Sequence, residues 1–313
     1  MPATVITAGG FIRPNVQSPA VDSVFRGTDL INLLAAEGRI VSAQGSSPFK
    51  WNTYTAANST AAIFSEGDAL STFGNQASVL ASQPAFYVRA AGSISGHLRD
   101  NIAKGGTYED VRQAELNLAI SDAWKFFEDS LVGSVTDVGI SSIIDAGTTY
   151  AGIDPAVTTA WRSMESALDG PLTVTAMQNL YEYVVDAPFG ATPTHILMTP
   201  SQRTNYLNAA GAPGSANSAF RIQPGVAGGA FDVGVIQPLV TFNGLPVVSV
   251  RGLSSTEVYI VDMSKLELLI HREPTVTEIA VVNDDNRFMV TVAGCLKASR
   301  RRSFGKLTGV TGG

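Results

Sequence analysis

The clearest periodic signal in the chain follows Gly105 and Gly106. Leu116, Ile120, Ala123, Phe127 and Leu131 recur at helical spacing, and Val111, Ala114 and Leu118 form an adjoining stripe. This pattern predicts a helix over 107–132, about seven turns long. Thr107 with Asp110 reads as a variant capping box at its start. An apolar arc this wide predicts packing against a sheet, and it reads as core and not as a cofactor box. Nearer the N-terminus, Leu30, Ile31, Leu33 and Leu34 form the apolar side of a shorter helix, capped by Thr28 and stopped by Gly38.

Between these helices the period changes to that of strands. Phe49, Trp51 and Tyr54 lead into a span rich in Ser, Thr, Ala and Gly around Glu66, Gly67, Asp68 and Gly74, and Ala85, Phe86, Tyr87, Val88 and Arg89 lead out of it. The pattern predicts a long β-hairpin, with a long flexible loop as the alternative. Such a ribbon has few large apolar side chains, and a two-stranded ribbon is marginal alone in water, so it must lie on something else. Residues 1–27 carry Pro2, Pro14, Pro19 and three glycines with no clear period; they read as an extended arm or as a disordered tail.

Beyond residue 132 the chain alternates again. Val135, Val138, Ile140, Ile143 and Ile144 begin a second globular region over 133–150. A helix follows from Thr173 to Val185, with Val174, Met177, Leu180, Tyr181 and Val184 on one face. Next come a strand from His195 to Thr199, a helix from Ser201 to Ala209 and a glycine-rich loop from Gly211 to Gly234. Strands are predicted at Leu245–Val250, Val258–Val261, Leu266–His271, Val276–Val281 and Phe288–Ala298, with a turn at Asn283-Asp284-Asp285-Asn286 before the last.

Composition narrows what such a chain does. Its 313 residues are 45% hydrophobic, enough for a substantial core, but only 15% are charged, against roughly 25% in ordinary soluble proteins. A surface so poor in charge suits burial against other subunits. The net charge of -6 and pI near 5.1 argue against a protein that grips nucleic acid. One cysteine, Cys295, excludes an intrachain disulfide and a thiolate zinc site. The residues after Met1 lack the pattern of a signal peptide, and no run approaches the ~20 apolar residues of a membrane span. The expectation is synthesis and use in the cytosol, or in something assembled there.

Candidate chemistry is sparse. His97, His195 and His271 fall in separate elements without metal-ligand spacing. Gly92-Ser93-Ile94-Ser95-Gly96 has Ile94 where a nucleophile elbow needs its serine. Gly225, Gly228 and Gly229 do not complete a dinucleotide fingerprint, and there is no Gly-Lys-Ser/Thr phosphate loop. Asp284-Asp285 reads as a solvated turn and not as a cation site. No catalytic, cofactor-binding or metal residue is assigned, and no cofactor is expected. Arg300, Arg301 and Arg302 form the dense basic cluster; a solvated charge run is the favoured reading, with contact to packaged DNA or to a neighbour's acidic side chains as the alternatives.

One resemblance joins these pieces. Gly152-Ile153-Asp154 followed by Trp161-Arg162, the helix of Leu172 to Val185, and His195-Ile-Leu-Met-Thr-Pro-Ser-Gln202 come in a fixed order. Phe242-Asn243-Gly244-Leu245-Pro246-Val247, Gly294-Cys295-Leu296 and the segment Arg300 to Gly309 follow. In that order and spacing the chain resembles the major capsid proteins of tailed bacteriophages with the Hong Kong 97-type fold, most strongly over 152–310. The resemblance implies an α+β fold divided into an N-terminal arm (1–27), a short helix and lead-in (28–45) and an extended hairpin called the E-loop (46–90). A peripheral domain with a long spine helix (91–132), an axial domain (133–264), peripheral return strands (265–300) and a C-terminal segment (301–313) complete it.

It implies a non-enzymatic protein that self-assembles into hexamers and pentamers of an icosahedral shell around double-stranded DNA, in a virion built in the host cytoplasm. Expected partners are other copies of the chain, a portal protein, a separate scaffolding protein because the arm is short, a decoration protein, and packaged DNA through non-specific contact; no membrane is expected. Trp51, Tyr54, Phe64, Phe73, Phe86 and Tyr87 are the candidate inter-subunit anchors of the hairpin, some of which serve instead to hold the hairpin together. An encapsulin-like cargo shell and a soluble α/β enzyme are the alternatives.

Overall fold

A computed structural model of the chain describes residues 27–43, 47–56, 60, 63, 66, 76–95, 108–133, 138–186, 190–211, 240–282 and 285–311. Most of the expected arm, Thr107 of the capping box, Phe64, Phe73 and most of the glycine-rich loop lie outside the described residues. The elements in order are α1 (Asp29–Ala36), β1 (Ile40–Ser42), β2 (Phe49–Tyr54), β3 (Ser78–Gln83), β4 (Phe86–Ile94) and the long α2 (Tyr108–Val132). The short α3 (Ile140–Ile143), β5 (Met164–Pro171), α4 (Val174–Val185), β6 (His195–Met198) and α5 (Pro200–Gly211) follow. The chain ends with β7 (Thr241–Phe242), β8 (Leu245–Ser249), β9 (Val258–Val261), β10 (Leu266–Val282), β11 (Asp285–Ala298) and β12 (Gly305–Thr311).

Three sheets result. A four-stranded sheet runs β1-β10-β11-β4, a six-stranded sheet runs β5-β12-β9-β6-β8-β7, and β2 and β3 form a separate two-stranded ribbon. The ribbon corrects the expected hairpin. Its return strand is β3, with Phe49 opposite Gln83 and Tyr54 opposite Ser78, while the segment around Ala85–Arg89 is β4, which pairs with β11 in the larger sheet. The sequence reading named only the second segment as a strand; its Phe86 and Val88 belong to the core under α2, which holds β4 beside β11 and leaves β3 to pair with β2.

α2 lies on the four-stranded sheet. Ala119, Ala123, Phe127 and Leu131 are buried in one i, i+4 row, whereas Ala114 is exposed and Leu118 only half-buried, so these two residues of the expected second stripe are not buried with that row. The helix is seated by Phe127. Its ring stacks on Phe86 at 4.7 Å and meets Trp124 edge-on at 5.7 Å. Beneath it sits Gly294 of β11, where a Cβ would fall 3.1 Å from the Phe127 ring and 2.6 Å from the Leu269 carbonyl. A side chain at 294 would therefore lift the helix off the sheet.

The same core takes in α1 and the segment after α2. Leu30, Leu34, Ile140, Ile143, Ile144, Tyr150 and Trp161 are buried together with Phe127, Leu268, Val290 and Leu296. Residues 140–161 thus complete the first core; they do not open a separate one. The second core lies between the six-stranded sheet and helices α4 and α5, built from Met177, Leu180, Ile196, Met198, Tyr206, Ile260 and Leu307. Its strands β5 and β12 were not expected: β5 reads Met-Glu-Ser-Ala-Leu-Asp-Gly-Pro, without strict alternation, and pairs in parallel with β12 from the far end of the chain. The expected strands at 266–271 and 276–281 are one strand, β10, whose register against β11 shifts near Ile270 and Arg272.

The cap of α1 also differs from expectation. Thr28 makes no side-chain bond to the helix, whereas Gly38 does end it with φ of +64°. The cap comes from Glu128 on α2, whose carboxylate accepts the Leu30 N–H at 3.0 Å and the Ile31 N–H at 3.4 Å. Burial pushes this carboxyl above its ordinary range, opposed by those same N–H groups. Thr199 and Asp262 show local caps of the ordinary kind, but α1 depends on a residue about a hundred positions away. Replacing Glu128 by Ala should leave two buried donors unpaired and cost about 2 kcal/mol; the urea midpoint of the unassembled subunit measures it.

Candidate functional site

Among the described residues, no three His, Cys, Asp or Glu side chains lie close enough to share a metal ion. Cys295 is buried, and desolvation pushes its thiol up to about 12 despite Lys297, so it behaves as a small core hydrophobe. His195 is held below its usual range by burial, with Glu37 3.6 Å away opposing the shift. The described residues present instead a ribbon with outward apolar side chains and the buried joint that supports it.

That surface is the β2–β3 ribbon. Alternation along β2 turns Phe49, Trp51 and Thr53 inward and Lys50, Asn52 and Tyr54 outward; on β3, Ala81 and Gln83 face inward and Ser78 and Leu80 outward. Tyr54 is 71% exposed and Leu80 54% exposed, and they are diagonal neighbours on one face, since Asn52 opposes Leu80 and Tyr54 opposes Ser78. A two-stranded ribbon that holds Tyr54 and Leu80 out in water cannot stabilise itself, so its root is fixed elsewhere. The Trp51 ring lies 6.5 Å from the Tyr150 ring and beneath the Lys297 ammonium at 5.8 Å. The Ser82 N–H donates to the Ala151 carbonyl at 2.8 Å, and the Thr53 hydroxyl to the Ser299 carbonyl at 3.4 Å.

The six aromatic residues singled out from the sequence therefore separate. Trp51 and Phe86 face inward, the first as the foot of the ribbon and the second stacked on Phe127. Tyr54 and Tyr87 are outward, Tyr87 being 52% exposed with its ring edge-on to His271 at 6.2 Å. Phe64 and Phe73 lie outside the described residues. Leu80, and Phe126 on α2 at 63% exposure, are outward apolar residues that the sequence reading passed over. Phe126 had a signal: it falls off the 119, 123, 127, 131 row by one position, which turns it away from the sheet.

The arginine cluster is corrected more sharply. Arg301 is fully buried and is not part of a solvated run. Its guanidinium donates to the carbonyls of Ile143 at 2.6 Å, Thr148 at 2.6 Å, Ser142 at 3.1 Å and also Asp145, and it lies 5.8 Å from the Tyr150 ring. Arg300 donates to the Gly190 carbonyl and Arg302 to the Thr159 carbonyl, both from half-buried positions. Tyr150 in turn donates its hydroxyl to the Leu296 carbonyl, accepts the Ala298 N–H and stacks on Trp161 at 6.1 Å. One residue thus ties the end of β11, the 142–148 turn and the foot of the ribbon.

A second buried cation sits close by. Lys306 of β12 approaches Asp145 at 3.1 Å and Glu165 and Glu257 at 3.8 Å each. Glu257 also accepts from Ser141 and Tyr259, and Glu165 accepts the Ala146 N–H. Burial raises the Asp145 carboxyl, but the Gly147 N–H, Lys306 and Thr148 outweigh it and hold the group down to about 2. Lys306 stood in the sequence between Phe304-Gly305 and Leu307, an apolar setting that is itself a signal of a buried lysine.

Both sites give measurable consequences. Arg301→Ala should cost at least about 3 kcal/mol, because several carbonyls lose their donor and a cavity opens. Arg301→Lys should recover less than half of that, since one ammonium cannot span the same fork; urea titration of the unassembled subunit compares the two. Asp145 has a folded pKa below its ordinary 3.8, so its contribution is complete above that value and is lost as pH falls toward about 2. The urea midpoint of the parent should drop over that window more steeply than that of Asp145→Asn.

Comparison with known proteins agrees with this architecture. The fold matches a chain of the Cyanophage A-1(L) capsid asymmetric unit with a TM-score of 0.73 at 18% identity, covering 98% of this chain and 99% of that one. It matches the SrpI encapsulin of Synechococcus elongatus PCC 7942 with a TM-score of 0.63 at 12% identity, covering 99% and 96%. A chain from Mycobacterium phage Adephagia matches with a TM-score of 0.62 at 12% identity, covering 98% of each. No curated protein sequence matches. The fold is thus the Hong Kong 97-type fold of phage capsid proteins. A family model described as SU10 major capsid protein matches residues 26–311, and the chain belongs to that family of capsid shell proteins.

Proposed function

We propose that this chain is the major head protein of a tailed phage, and that its copies form the hexamers and pentamers of an icosahedral shell enclosing double-stranded DNA. The observation that carries the reading is the ribbon: an outward face bearing Tyr54 and Leu80, on a root locked by Trp51, Tyr150 and Lys297. A monomer gains nothing from holding apolar side chains in water on a fixed support, whereas a neighbouring subunit gains a rigid, pre-ordered contact. Head-to-tail contacts of this kind close into rings, and weak contacts suffice when many act together.

On this reading the ribbon and the residues between its strands are the E-loop, and α2 is the spine helix of the peripheral domain. The six-stranded sheet with α4 and α5 forms the axial domain at the capsomer centre. The arm, a portal protein, a separate scaffolding protein and a decoration protein are its further contacts, DNA touches the shell without sequence preference, and the chain performs no catalysis. The acidic net charge supports a container more than a binder of DNA. A second reading, a cargo-loaded compartment, draws on the likeness to the encapsulin.

Electron microscopy of the purified chain, made alone and with its neighbouring genes, tests the reading. Capsomer rings or closed shells are expected, and uniform small particles in both preparations would refute it. Shells that enclose protein and no nucleic acid, when made in infected cells, would favour the compartment. Replacing residues 57–75 by a short Gly-Ser linker leaves β2 and β3 intact and should give a subunit that melts like the parent yet forms no closed shells.

A further inference from the structure

At the root of the ribbon lies a cavity of about 460 Å³, floored by the Trp161 ring. Asn52 and Gln76 border it from the ribbon side, and Lys265, Ser299, Arg300 and Arg302 from the segments that flank β10 and β11 of the four-stranded sheet. Among the described residues it is lined by no carboxylate, although this chain has 27 acidic and 21 basic residues. Lys265, Arg300 and Arg302 form no ion pair among the described residues, in contrast to Lys297 and Lys306 a few residues away. The Arg302 Nε is buried and has no hydrogen-bond partner. A buried cationic donor left without an acceptor is costly in a finished structure.

The cavity is also stiff. The Lys265 carbonyl accepts both the N–H and the hydroxyl of Ser299, which fixes the backbone under the lysine, and Thr53 holds the ribbon to the Ser299 carbonyl. Three cationic side chains lining one cavity on a fixed frame match an anion of side-chain size.

We propose that this cavity is a carboxylate-binding site that receives an Asp or Glu side chain from a second copy of the chain, an inference that rests on the assembly role proposed above. A second copy is the fitting source on three grounds. The chain is acidic overall, so its own surface supplies carboxylates at high local concentration once subunits meet. The cavity is continuous with the ribbon, the surface already assigned to subunit contact. Phosphate of a nucleic acid is drawn by cations spread along an open face, whereas these three line one cavity. The carboxylate would supply the acceptor that Arg302 Nε lacks and would fix the angle of the ribbon root against its neighbour.

Zero-length carbodiimide coupling tests this, because it joins a lysine amine only to a carboxylate in direct contact. Shells assembled from a mixture of unlabelled and 15N-labelled full-length chains are treated, digested and read by mass spectrometry. The expected result is a Lys265 to Asp or Glu product of mixed isotope, showing that the acid comes from another copy. Shells in which Lys265 is unlinked, or linked only within one copy, overturn the proposal while leaving the capsid reading intact. A chain that forms no shells or capsomers defeats both.

Lys265 shielded in filled shells and exposed by nuclease treatment would overturn it in favour of phosphate. As a second readout, Lys265→Glu and Arg302→Glu should each lower shell yield at least about tenfold while the free Lys265→Glu subunit keeps the parent's melting temperature. Reversing the identified acid to Lys should restore the yield of Lys265→Glu. Unchanged yields in both single variants would also overturn the proposal.

Discussion

A guanidinium withdrawn from water must find an acceptor for the N–H groups it carries, and Arg301 finds the carbonyls of the turn at residues 142–148. That requirement fixes the turn, because a loop of free carbonyls has no reason to curl around one point without it. The turn in turn presents Asp145 to Lys306 and sets Tyr150 between β11 and Trp161. Trp51 rests on Tyr150, so the direction in which the ribbon leaves the body depends, through two rings, on a cation no solvent reaches.

The two cores meet at this joint. One is closed by Phe127 over Gly294 and the other by α4 and α5 over the six-stranded sheet, and β11 leads directly through Arg301 into β12. Crossing from one sheet to the other within a few residues leaves little slack between them. A subunit that must repeat the same geometry around a ring benefits from such stiffness, since an angular error at each contact would accumulate and prevent closure.

Much of this fold was legible because it rests on local periodicity. The row through Phe127 and Leu131, the stop at Gly38, the helix capped by Thr173 and the strand Val258–Val261 follow from patterns within a dozen residues. Trp51 and Tyr54 were both recognisable as belonging to a strand of a ribbon. What alternation could not say was which neighbour each strand would choose. β4 was expected beside β2 and pairs with β11 instead, and β5 carries so few apolar residues that it becomes a strand only because β12 is there to pair with it.

The sequence by itself determined the long helices, most strands and the motifs that resemble those of capsid proteins, because each depends on residues close together in the chain. The tertiary structure decided that Arg301 and Lys306 are buried, that Glu128 caps a helix about a hundred residues before it, and that Trp51 and Phe86 face inward while Tyr54 and Tyr87 face out. Arginine, lysine and glutamate have high hydration energies, so local pattern assigns them to water. They go inside only where distant segments supply partners for every charge, and that supply exists only once the chain has folded.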